Sequence, residues 1–131
     1  MTITRDPLRT IEYVTEEDRK LPPEERTIWT LGVLTARQNA AIVDGCLTVT
    51  RKGAVTEKAG SMQLATLAFG LRGAKNLLGP DGKEIQLAWE AGPAGPRIAD
   101  ETLDAIPMNV RIELFGQITR LNRFNGTDAK N

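Results

Sequence analysis

A chain of 131 residues, 40% hydrophobic and 26% charged, is long enough for one self-supporting core and too short for two comfortable domains. Seventeen basic and seventeen acidic side chains cancel, which removes the broad positive field expected of a nucleic-acid binder. Histidine is absent, and Ser61 and Cys46 are the only serine and cysteine, so Ser–His–Asp or Cys–His catalysis, an intramolecular disulfide and a multi-thiolate zinc site are excluded.

No run approaches the ~18 uninterrupted apolar residues of a membrane span. Residues 1–6 lack the apolar core of a signal peptide, which points to a reducing cytoplasm. Residues 1–8 are expected as a flexible tail. Two β-leaning runs follow, 9–14 and 27–34, and in the second Trp29, Leu31 and Val33 share one face while Thr30 turns away. Between them lies a charge-rich stretch broken by Pro22 and Pro23, read as a solvated connection between two antiparallel strands.

Thr35-Ala36-Arg37-Gln38 fits a capping box and predicts a short helix through Val43, stopping at Asp44-Gly45. Residues 46–58 read as a protruding hairpin or loop, with a turn at Arg51-Lys52-Gly53. Ser61 is the expected N-cap of a helix over 62–72, whose stripe is Leu64, Leu67, Ala68 and Leu71, with Gly73 ending it. Gly79-Pro80-Asp81-Gly82 and Gly92-Pro93-Ala94-Gly95-Pro96 are turns flanking a strand over 85–89, so 83–99 reads as a further hairpin.

Asp100 is the expected cap of a short turn over 101–103. Pro107 opens the last helix, with Val110, Leu114, Ile118 and Leu121 as its stripe and Ile112 and Phe115 widening it. Asn125-Gly126 stops that helix, and 125–131 is expected as a second flexible tail. The expected fold class is α+β, a single small domain over 1–131 with an antiparallel sheet, hairpins and about three α-helices.

The acidic pairs around 16–18 and 24–25 sit in a hydrophilic loop that offers no shield to raise a carboxyl towards neutrality. Asp81-Gly82 beside Glu84 lacks the ligand spacing of a calcium loop, and the proline-bearing Gly turns lack the N–H donors of a phosphate cradle. Arg51, Lys52 and Lys58, and Arg111, Arg120 and Arg123, come without the interleaved aromatics that base stacking needs. Cys46 reads as a small apolar residue with no group placed to activate its thiol. No catalytic, metal or cofactor-binding residue is therefore nominated, and no cofactor is expected. The residues nominated for protein interfaces are Trp29, Leu31, Leu47, Val49, Trp89 and Phe115, with Trp29 and Trp89 read as either core or interface anchors.

Tyr13-Val14, then Glu17-Asp18-Arg19 and 21–29, resembles the opening of small proteins encoded in the structural gene cluster of tailed bacteriophages. The likeness continues through 34–38, the run from Leu67 to Gly73, the turn over 76–82, and Leu103-Asp104-Ala105-Ile106-Pro107 leading to Glu113-Leu114. Proteins of this layout are similar to tail assembly chaperones and other minor morphogenesis proteins. The resemblance implies a non-enzymatic protein that binds phage tail, portal or capsid proteins and acts in the host cytoplasm during assembly. Retained in the virion, as connector, adaptor or capsid decoration, such a protein forms a homo-oligomer or ring. Neither nucleic acid nor membrane is an implied partner.

Overall fold

The computed structural model of the protein describes residues 2, 6–49, 52–53 and 55–123, with backbone alone at 47–49 and 55–57. It is a small α+β domain, as its segment pattern predicts, with four α-helices and antiparallel sheets among the described residues. The expected tail over 125–131 lies outside the described residues, as do residues 1 and 3–5 of the expected tail over 1–8.

Strands β1 (Thr10–Tyr13) and β2 (Ile28–Gly32) are antiparallel, with Tyr13 opposite Trp29. The charged stretch between them folds as two 3₁₀ turns, Asp18–Lys20 and Pro23–Glu25. The alternation in β2 holds: Trp29, Leu31 and, just beyond the strand, Val33 are buried. The second neighbour of β2 is a strand that the sequence pattern hides. Helix α2 runs Ala59–Gly70, and Leu71–Lys75 is strand β5, so β2 lies in the middle of the sheet order β1-β2-β5.

Leu71 completes a helical i+7 spacing on paper, yet it sits opposite Leu31 in the sheet. Thr30 pairs with Gly73 and Leu31 with Leu71, which leaves Arg72 as the extra residue of a bulge. Arg72 uses that freedom. Its side chain crosses Gly32, where a Cβ would lie 2.8 Å from the arginine Cγ, and donates to the carbonyls of Val33 (2.7 Å) and Phe69 (3.0 Å). Partial burial lowers the Arg72 pKa from its ordinary value, because the charged form loses water.

Three capping expectations meet different outcomes. The capping box at α1 (Ala36–Cys46) forms reciprocally: Thr35 N–H donates to Gln38 Oε1 at 3.0 Å, and Gln38 N–H to Thr35 Oγ1 at 3.1 Å. Ser61 does not cap α2; the cap position is Lys58 and Ser61 lies inside the first turn. Asp100 does not cap α3 (Asp100–Ala105) either; the cap is Ala99, and the Asp100 carboxylate is drawn instead to Arg97 at 2.9 Å.

Leu47–Val49 (β3) and Val55–Glu57 (β4) pair as an antiparallel hairpin, so the hairpin alternative for 46–58 holds at the backbone level. Lys58 N–H closes its base by donating to Cys46 O at 2.7 Å. The strand expected over 85–89 is largely irregular. Only Trp89–Glu90 (β6) pairs, with Arg97–Ile98 (β7), across the proline-bearing turn.

The main core lies between the sheet, α2, α3 and α4 (Met108–Arg123): Trp29, Leu31, Leu67, Leu71, Ile98, Leu103, Leu114 and Ile118 are its largest contributors. Each Leu or Ile buried there contributes about 2 kcal/mol of transfer free energy. The α4 stripe of Leu114, Ile118 and Leu121 is buried as predicted, but Ile112 is 53% exposed and Leu64 of α2 40% exposed, so neither joins the core. Helix α2 meets α4 at Gly70, where a Cβ would come 2.5 Å from Ile118 Cγ2; only glycine admits that approach.

Candidate interaction surface

The nominated interface residues separate sharply. Trp29 is 3% exposed and Leu31 fully buried, because both face α2 and α4 from the central strand; they are core anchors and present no side chain to a partner. Trp89 is the opposite case, 44% exposed on β6. The side chains of Leu47 and Val49 lie outside the described residues; their backbones pair with Glu57 and Val55. Among the described residues no further strand pairs with either edge of that hairpin.

Phe115 is half-buried at a groove between α1, α2 and α4, with a volume of about 370 Å³. Leu34, Ile42, Val43 and Met62 supply its apolar walls, and Arg123 stands at its rim. Asn122 ties this groove to the sheet. It donates to the carbonyls of Ile118 (2.8 Å) and Gly32 (3.4 Å), and its Oδ1 accepts from Leu34 N–H at 2.5 Å. That amide thereby fixes the chain where it leaves β2 for α1.

The other flank of α1 borders a larger groove of about 650 Å³. Cys46, Ala65, Phe69 and Ala94 line it together with Arg37, Ala40, Ala41 and Asp44 on the face that α1 turns towards it. Helix α1 is thus a ridge with an open apolar trough on either side. Gln38, Ile42 and Cys46 hold the ridge down, and Arg37, Ala40, Ala41 and Asp44 are exposed along its crest.

A separate polar cluster joins the charged connection to α4. The Tyr13 hydroxyl donates to Glu113 Oε2 at 2.5 Å, and Glu16 N–H donates to the same oxygen at 3.0 Å. Arg19 lies over the Tyr13 ring, 5.2 Å from its centroid. Desolvation, then the Glu113 hydrogen bond and charge, push the Tyr13 pKa from 10.0 up to about 12.

Protein-family models, curated proteins and solved structures give no match to this chain. Among the described residues, no helix is long and apolar enough to cross a membrane.

Of the nominated residues, Phe115 lines a trough and Trp89 is exposed, while sequence reasoning missed the other residues that shape the troughs. The spacing of Arg37, Ala40, Ala41 and Asp44 is a readable i, i+3, i+4, i+7 set, though a polar helical face of this kind carries no sign of its surroundings. Asn122 and Arg72 had no signal, since their bonds to Gly32 O, Leu34 N–H and Val33 O reach backbone groups distant in sequence.

Proposed function

We propose that the chain is a non-enzymatic bacteriophage virion-morphogenesis protein that works by binding other phage structural proteins, in the manner of a tail assembly chaperone. The observation that carries this reading is the trough between α1, α2 and α4, whose apolar lining is Leu34, Ile42, Val43, Met62 and Phe115. Val43, which lines the trough, is 44% exposed and extends its apolar surface onto the outside of the molecule. A wet, open apolar wall of this kind suits an apolar segment of another protein, which would be shielded until its own assembly partner displaced it.

Minor virion protein retained in the particle is the second reading, favoured by the hairpin β3–β4, whose open edges suit strand pairing with a neighbour. One measurement separates the two. The chaperone reading expects the protein to co-purify from infected-cell lysate with a tail protein and to be absent from purified particles. A stoichiometric copy number in particles selects the retained role instead. Binding to no phage structural protein in either fraction overturns both.

A further inference from the structure

We propose that the crest of α1 docks against the same crest of a second copy of this chain, across a two-fold axis passing beside Ala40 and Ala41. The inference concerns the molecule's own symmetry and stands independently of the morphogenetic reading.

Gln38, Ile42 and Cys46 are the buried residues of α1, one per turn on the inner side. At ~100° per residue, the direction opposite that stripe belongs to Arg37, Ala40, Ala41 and Asp44, all of them exposed. Arg37 and Asp44 stand about 10 Å apart along the helix axis, from a rise of ~1.5 Å per residue. Between them the crest carries only methyl groups. Among the described residues neither charge has an ion-pair partner: the three salt bridges join Lys20 to Glu17, and Arg97 to Glu90 and to Asp100.

A face with a cation at one end, an anion at the other and small residues between is complementary to itself in one orientation. Laid antiparallel, a second copy brings its Asp44 to Arg37 and its Arg37 to Asp44, and the two-fold axis makes every contact twice. Laid parallel, like charges meet. Ala40 and Ala41 let the two helix backbones approach at the short end of the usual 8–10 Å spacing. Arg37, Ala40, Ala41 and Asp44 themselves form one wall of the larger trough, with Ala65, Phe69 and Ala94 across from them, so the partner's α1 lies along that wall and each copy both inserts a ridge and offers a groove. Charge complementarity with this chain itself is what selects a second copy as the occupant.

Sedimentation equilibrium on the full chain at low ionic strength tests the proposal. The expected result is a monomer–dimer equilibrium that weakens as salt rises from ~0.05 M to ~0.5 M. Arg37→Glu or Asp44→Lys alone should weaken association roughly tenfold, because each disrupts two symmetric pairs. The combined R37E/D44K chain should return close to wild-type strength, since the charges have only changed places across the axis. Ala41→Arg, which adds bulk at the axis and leaves both pairs present, should abolish dimers. Both charged positions and Ala41 are exposed, and circular dichroism verifies that each variant is folded. The proposal is overturned by a wild-type chain that remains monomeric at about 100 µM, by a double variant as weak as the singles, or by A41R dimers of wild-type strength. Loss of binding to a tail protein in R37E, with self-association unchanged, would assign the crest to that protein and also overturn it.

Discussion

The two sides of helix α2 are finished differently. On one side the sheet, α3 and α4 bring Leu31, Leu71, Ile98, Leu103, Leu114 and Ile118 against Leu67 and Ala68, and all are essentially removed from water. On the other side, among the described residues, α1 and its connector cover the helix, with Leu34, Ile42, Cys46 and Phe69 as a small second cluster and Met62, Ala65 and Ala94 half-buried around it. A helix that is apolar all round needs cover all round. This one has it on the sheet side and lacks it beside α1, and the troughs lie where the cover stops. The stability of the molecule and its capacity to bind are therefore drawn from opposite faces of one helix.

Paired truncations give the largest test of that contrast. Leu67→Ala should cost about 3–4 kcal/mol in urea unfolding, and Ile42→Ala nearer 2 kcal/mol, because the smaller cluster can relax into its open troughs. Equal losses would show that the two sides are one core. The contact between α2 and α4 is sharper still in geometry but smaller in effect. Gly70→Ala forces a methyl against Ile118 and should cost about 2 kcal/mol, with Ile118→Val in the same chain recovering part of it. Simple additivity of the two substitutions would mean that the close approach does not limit packing.

The smallest effect is confined to alkaline pH. Tyr13 titrates near 10.0 in the unfolded chain and at about 12 in the folded one, so between those values the unfolded chain has lost a proton that the folded chain retains. The stabilisation is complete below pH 10 and is lost as pH rises towards 12. Tyr13→Phe removes the titrating hydroxyl, and its stability should fall less steeply than wild type across that window. A Tyr13→Phe curve parallel to wild type from pH 10 to 12 would show that the Tyr13–Glu113 contact is not held in solution. Because this cluster belongs to the sheet side, the α1 crest should be indifferent to the change.

Much of the architecture was readable from the chain. The alternation of Trp29, Leu31 and Val33, the Thr35–Gln38 box and the spacing of Leu114, Ile118 and Leu121 each depend on neighbours within a few residues, and each forms as its pattern predicts. Expectations failed where a distant surface decided the matter. Ser61 and Asp100 look like caps, but the chain is already helical at each of them. Of the interface candidates, Trp29 and Leu31 carried the same apolar signature as any docking anchor, and nothing local distinguishes a side chain covered by α2 and α4 from one awaiting a partner.

The amino-acid order by itself determined the periodicities, the turns and the chemistry missing from the side-chain inventory, because these follow from composition and from residues that meet within one or two turns. Tertiary structure alone decided that 71–75 leaves the helix to become a sheet edge, that Arg72 bulges over Gly32, and that α1 stands as a ridge between two apolar troughs. Those outcomes depend on surfaces brought together from opposite ends of the chain, whose free energy of contact outweighs the few tenths of a kcal/mol that local preference assigns to any one residue.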